Sequence, residues 1–227
     1  MIEIIPTNTC PPDSTELTRR SEAFAAFAPL VQLDVADGKF VPARSWPYGE
    51  DQMQELATLP GTPALSYEVH LMVEEPQEIG IRLARAGASR IIGHIEAFAA
   101  SEEVQSAFDT WRSAGAAEVG LAVLFQTPLS ALQSVISSCD VVQLMSIAKL
   151  GYQGAPFEPG IFERIKELHA AYPALVIEID GGVSEQNIEE LVRSGARRFG
   201  VGSAISKAEH PRAAYERLKK LAESVVH

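Results

Sequence analysis

Eight short runs rich in β-branched and other apolar residues alternate along the chain with eight stretches of helical period. The strand-like runs fall at residues 2–5, 30–35, 65–73, 90–94, 118–123, 141–145, 176–180 and 198–202. The helical stretches fall between and after them, at 14–27, 49–59, 76–86, 101–114, 129–137, 159–171, 184–194 and 209–225. A helix between each pair of strands returns the chain to the same end of the sheet, so the strands run parallel. Eight units of roughly 28 residues are the number at which such a sheet closes on itself. The expected fold is therefore α/β, an eight-stranded parallel (β/α) TIM barrel, with an open parallel sheet as the alternative.

The 227 residues are enough for such a barrel to bury its core without splitting. No linker, low-complexity stretch or charge block interrupts them, so residues 1–227 are expected to form one domain. Lys and Arg number 19 against 30 Asp and Glu, a net charge of −11 with a pI near 4.9. This acid excess argues against nucleic acid or an anionic membrane surface as the main partner. It leaves room for a local pocket of backbone N–H groups that binds an anionic metabolite. Cys10 and Cys139 stand in no zinc or C-x-x-C spacing. Residues 1–12 carry no basic segment before an apolar run, and no stretch approaches the ~18 apolar residues of a membrane span. A soluble, unprocessed, cytoplasmic protein is expected.

In a barrel of this kind, chemistry is done at the carboxyl ends of the strands. Those positions here hold Thr7, Gln32 with Asp34, His70, His94 with Glu96, Met145 with Ser146, Asp180, and Gly202 with Ser203. Gln32 and Asp34 are two residues apart, as are Glu68 and His70, so each pair shares a face. A carboxylate or imidazole buried there must be paired, bound to a metal or held neutral. After Asp180, Gly181 and Gly182 let the backbone turn tightly and expose N–H groups. His94 and Glu96 read as a hydrogen-bonded pair across the barrel mouth, and Met72 and Met145 read as core fillers by default. Thr7 reads equally as a substrate donor or a strand-end cap, and Lys149, in a loop, as a solvated lysine.

Six motifs carry a resemblance: LDVADGKFVP (33–42), VHLMV (69–73), HIEA (94–97), LGYQGAPF (150–157), IDGGV (179–183) and GSAI (202–205). In this order and spacing the chain resembles the ribulose-phosphate 3-epimerase family, which implies a barrel of the ribulose-phosphate-binding type. The resemblance implies that Asp34 and Asp180 are the paired acid and base that move a proton at carbon 3 of a ketose phosphate such as D-ribulose 5-phosphate. It implies a divalent metal, usually zinc, held by the positions of Gln32, Asp34, His70 and Asp180. Substrate contacts are implied at Thr7, Met72 and Met145, with a phosphate cup from Gly151, Gly154, Gly181, Gly182, Gly202 and Ser203. A small phosphorylated sugar is the implied partner, and a homo-oligomer the implied assembly.

The chain departs from the family most clearly at Gln32, where the family has a histidine. Three oxygens and one nitrogen suit zinc less well than two imidazoles and two carboxylates would, so manganese and magnesium enter as alternatives. Ala36 stands for a methionine, Ala43 for an asparagine, and Leu124-Phe125-Gln126 for an asparagine-proline segment. The glycine-rich phosphate loop is reduced to Leu150-Gly151-Tyr152-Gln153-Gly154. Two other functions stay open: a barrel that binds a sugar phosphate or protein without turnover, and a different isomerase or lyase. No D-x-K-x-x-D pattern supports the lyase.

Overall fold

The computed structural model describes residues 1–49, 58–151 and 155–225. Its strands are β1 (Glu3–Asn8), β2 (Leu30–Ala36), β3 (Ser66–Met72), β4 (Ala88–His94), β5 (Glu118–Val123), β6 (Val141–Met145), β7 (Val176–Asp180) and β8 (Arg198–Val201). They pair in chain order, all parallel, and β8 closes on β1. The expected TIM barrel is the fold. Around it run α1 (Ser14–Ala25), α2 (Pro76–Arg85), α3 (Ser101–Ala114), α4 (Ile161–Ala171), α5 (Ile188–Ser194), α6 (Ser203–Ser206) and α7 (Pro211–Ser224). Among the described residues no helix is long and apolar enough to cross a membrane.

Local chemistry sets the helix ends. The Asp13 carboxylate accepts the Glu16 N–H at 2.8 Å and caps α1, and Pro76, which needs no donor, opens α2. Alternation along the strands then separates two environments. Val31, Leu33, Val35, Tyr67, Val69 and Leu71 point outward into the apolar layer shared with the helices. Gln32, Asp34, Glu68, His70, Gln143 and Glu178 are the buried polar residues of the same strands, and their register partners place them side by side: Gln32 with Glu68, Asp34 with His70, Gln143 with Glu178.

At the amino ends of the strands this interior closes with an ion-paired ring. Arg90 meets Glu3 at 2.8 Å and Glu118 at 3.4 Å, and Arg198 meets Glu3 at 3.1 Å and Glu118 at 2.6 Å.

Three elements differ from the sequence reading. The first strand does not stop before Pro6 but runs on to Asn8. Pro6 is the last residue registered with β8, and pairing with β2 begins at Thr7, so the missing N–H falls where the ladder changes sides. Residues 129–137 are not an α-helix but two 3₁₀ turns, Leu129–Leu132 and Ile136–Ser138. Leu132, Val135 and Ile136 are buried at helix-like spacing, yet the serines around them are poor helix formers and no side chain caps the segment. The helix expected at 184–194 starts at Ile188, because the Asn187 side chain binds the Ser184 N–H and the Gly182 carbonyl instead. The helix expected at 49–59 lies for the most part outside the described residues.

Candidate active site

Three strands bring the central groups together. Asp34 ends β2, His70 sits beside it in register on β3, and Asp180 ends β7, registered with Met145 of β6. His70 Nδ1 lies 3.2 Å from Asp34 Oδ1 and 3.4 Å from Asp180 Oδ2. Below them the fully buried Gln32 turns its Nε2 upward and donates to both carboxylates, at 3.0 Å to Asp34 Oδ1 and 3.1 Å to Asp180 Oδ2. Gln143 adds a third amide donor, to Asp180 Oδ2 at 3.0 Å. Gly200 makes room for this arrangement, since a Cβ there would stand 2.6 Å from Gln32 Oε1.

The electrostatics follow from a dry site with two acids and one imidazole. Burial pulls the His70 imidazolium down, but Asp180 and Asp34 on either side outweigh it and push its pKa up to about 9. Burial, helped by the charge on Asp180, raises the Asp34 carboxyl against the pull of His70. Both shifts have one cause: carboxylates that lack water and share a single imidazole. Beyond His70, burial holds His94 down to about 4, so it is neutral.

His94 Nε2 is 2.9 Å from His70 Nε2, and His94 Nδ1 is 3.1 Å from Glu96 Oε2. The His94–Glu96 bond is the one expected from the sequence, and Glu96 Oε1 in turn accepts the Leu124 N–H at 2.9 Å, which ties the end of β4 to the loop after β5. The Phe40 ring covers His94, with centroids 4.7 Å apart.

A small cleft of about 60 Å³ opens above these groups at the carboxyl rim. Asp34, His70 and Asp180 form its floor, Thr7, Met72 and Met145 its walls, and Gly151, Gly181, Gly182, Gly202 and Ser203 its edge. Gly181 and Gly182 have φ of 109° and 67°, a conformation a side chain would strain, and Ser146 holds the turn by donating to the Gly181 carbonyl. Of the expected substrate contacts only Gly154 lies outside the described residues. Lys149 is exposed. Gln143 was missed, and its signal was available: one polar residue in the apolar run VVQLM, two positions before Met145 and so on the same inward face.

The residues fit a divalent metal. Asp34, His70 and Asp180 each offer a ligand atom, all within 4.8 Å of one another, and they form a triad able to hold such an ion. Gln32 Oε1 is buried and has no hydrogen-bond partner, so it is an uncommitted acceptor beside them, as is Gln143 Oε1. Turned over, the Gln32 amide would present this oxygen as a neutral fourth donor in place of its N–H.

Comparison with known proteins agrees with this geometry. The ribulose-phosphate 3 epimerase family model matches residues 10–206. The chain is 34% identical over 203 residues to the ribulose-phosphate 3-epimerase of Aquifex aeolicus, covering 88% of this chain and 87% of that one. With the ribulose-phosphate 3-epimerase of Escherichia coli K12 it shares 34% over 189 residues, 82% and 80% of the two chains. Among solved structures, 3-keto-L-gulonate-6-phosphate decarboxylase from Vibrio cholerae superposes over 99% of both chains with a TM-score of 0.72 and 14% identity, a likeness of fold. The barrel, the rim constellation and these matches over most of its length lead to one conclusion: the chain is an epimerase, a member of the ribulose-phosphate 3-epimerase family.

Proposed function

We propose that this epimerase interconverts D-ribulose 5-phosphate and D-xylulose 5-phosphate, or a closely related ketose phosphate, with one of Asp34 and Asp180 taking the carbon-3 proton and the other giving its own proton to the opposite face. The observation that carries this reading is the pairing of two carboxylates, one from β2 and one from β7, on the floor of a single glycine-edged cleft. Inversion at carbon 3 needs one group that takes a proton from one face and another that gives a proton back to the opposite face. Starting from one carboxylate and one carboxylic acid, each turnover leaves the pair in the opposite state, ready for the reverse reaction. The raised Asp34 carboxyl suits the acid role, because burial lets it keep a proton at a pH where an exposed aspartate would not. Between the two transfers the substrate is an enediolate, and the Gln143 amide holds the Asp180 carboxylate in place beside it.

A divalent ion held by Asp34, His70, Asp180 and the turned amide of Gln32 would supply the Lewis acidity that makes the carbon-3 proton removable. With three oxygens and one nitrogen, manganese or magnesium suits this set better than zinc. Thr7, Met72 and Met145 shape the sugar site, while Gly181, Gly182, Gly202 and Ser203, with Gly151, offer the phosphate a backbone cup. The family resemblance further supports a homo-oligomer in the cytoplasm.

The test is proton NMR of D-ribulose 5-phosphate in deuterated buffer, with protein stripped of metal and then given zinc, manganese or magnesium, beside an Asp180→Asn control. The expected result is deuterium exchange at carbon 3 and formation of xylulose 5-phosphate, restored best by manganese or magnesium and lost in the control. Exchange that survives Asp180→Asn, or none with any metal, overturns the reading.

A further inference from the structure

His70 is held from two sides, and only one side faces the cleft. Its Nδ1 points at the two carboxylates, while its Nε2 meets a second imidazole at 2.9 Å, too close for two lone pairs or two N–H groups to face each other. One nitrogen of that pair must donate and the other accept. Glu96 decides which. Its Oε2 sits 3.1 Å from His94 Nδ1, and its Oε1 already takes the Leu124 N–H, the arrangement of an ionised carboxylate that only accepts. His94 therefore gives its one proton to Glu96 through Nδ1, and its Nε2 is left as an acceptor. His70 must then carry a hydrogen on Nε2.

The groups facing His94 are few: His70, Glu96 and the Phe40 ring laid against it. His94 is fully buried, so a bond lost there is not replaced by solvent.

We propose that His94, oriented by Glu96, is a positioning residue that fixes His70 with its proton on Nε2, so that Nδ1 alone turns to Asp34 and Asp180. This rests on the reading that Asp34, His70 and Asp180 bind a metal. With Nε2–H pinned, a neutral His70 has its lone pair on Nδ1, the nitrogen that faces the carboxylates and serves as ligand. Without the pin the proton is free to sit on Nδ1, where it bonds Asp34 and closes the site to a cation. A carboxylate–histidine pair that orients a ligating imidazole in this way commonly alters metal affinity by about 10- to 100-fold when removed.

The test uses the full chain labelled with ¹⁵N-histidine, stripped of metal and then titrated with Zn²⁺, a diamagnetic probe. Long-range ¹H–¹⁵N correlations, read in the metal-stripped protein at a pH above about 9 where His70 is neutral, report which His70 nitrogen holds the proton, and calorimetry gives the Zn²⁺ affinity. The wild type is expected to show Nε2–H in both states. His94→Phe keeps the ring volume and removes the acceptor. It should weaken Zn²⁺ binding by about 10- to 100-fold and move part of the His70 proton to Nδ1. His94→Gln, whose amide oxygen can accept, should recover much of both signals. Should His94→Phe fail to fold, Glu96→Gln decides, with an expected loss of about tenfold in affinity. Unchanged His70 correlations and an affinity within about twofold of wild type, in either folded variant, would overturn the proposal. A wild type that takes up no Zn²⁺ would instead remove the metal reading, and the His70 proton position in the metal-stripped wild type and variant would still decide the role of His94.

Discussion

The two ends of the barrel interior solve one problem in opposite ways. At the amino ends of the strands Glu3 and Glu118 meet Arg90 and Arg198 in a closed ring of two acids and two bases. At the carboxyl ends Asp34 and Asp180 meet one imidazole and the amides of Gln32 and Gln143. Between them Glu178 lies beside Glu68, and burial together with that neighbour pushes the Glu178 carboxyl well up. The lower ring carries its own cations and serves to hold the barrel. The upper site is short of positive charge, and under the proposed function that shortfall is what would let it take up an ion and move a proton. Buried charge is structural where the fold balances it and chemical where the fold does not.

Asp180→Asn gives the largest expected separation of the two ends. It should lower kcat on the order of 10²- to 10⁴-fold while thermal unfolding stays at or above the wild-type temperature, because one of two crowded carboxylates is gone. A variant that kept its rate and lost stability would make the rim as structural as the ring. Arg90→Ala is the converse. It strips the buried Glu68 of its ion-pair partner and leaves Glu3 and Glu118 to Arg198 alone, and urea unfolding should show a loss of about 3–5 kcal/mol with the rate per folded molecule retained. A small loss would mean that the ring is not what holds this end closed.

A smaller effect is expected from Gln32→His, which exchanges a neutral oxygen donor for a second imidazole. Zinc affinity measured by calorimetry should rise by about tenfold or more, and the preference for manganese or magnesium should shrink. No change in metal order would show that Gln32 is not a ligand.

The last comparison is in pH. In metal-stripped protein the His70 pKa is raised from 6.5 to about 9, so its stabilising charge is fully present below pH 6.5 and is lost as pH rises through about 9. The Glu3 carboxyl is lowered below 4.5: burial raises it, but Arg90 and then Arg198 outweigh that, so its contribution is present above pH 4.5 and is lost as pH falls through the folded value. Denaturant midpoints across pH should therefore fall on the alkaline side from the rim and on the acid side from the ring. Loss of the alkaline limb in His70→Asn, with the acid limb kept, is the expected control.

Much of this was legible in the chain before any fold was known. The eight alternations determined a parallel barrel, and the two-residue period of a strand placed Asp34, His70 and Asp180 inside it at the end where chemistry is done. Glycine pairs marked the rim turns, since few other residues accept a positive φ. Less legible were the segments where local bonds compete with period. Pro6 looked like a stop and was only a change of partner, and the spacing of Leu132, Val135 and Ile136 looked like a helix where serines favoured tighter turns.

What the chain could not disclose was which inward side chains meet. Gln32 as a bridge between two acids, Gln143 as a donor to Asp180, the His70–His94 contact and the ring of Glu3, Arg90, Glu118 and Arg198 join strands far apart in sequence. Period says only that a side chain points inward. Its partner across the barrel depends on strand tilt and stagger, which are properties of the closed sheet as a whole, and so on a geometry that exists only once all eight strands have paired.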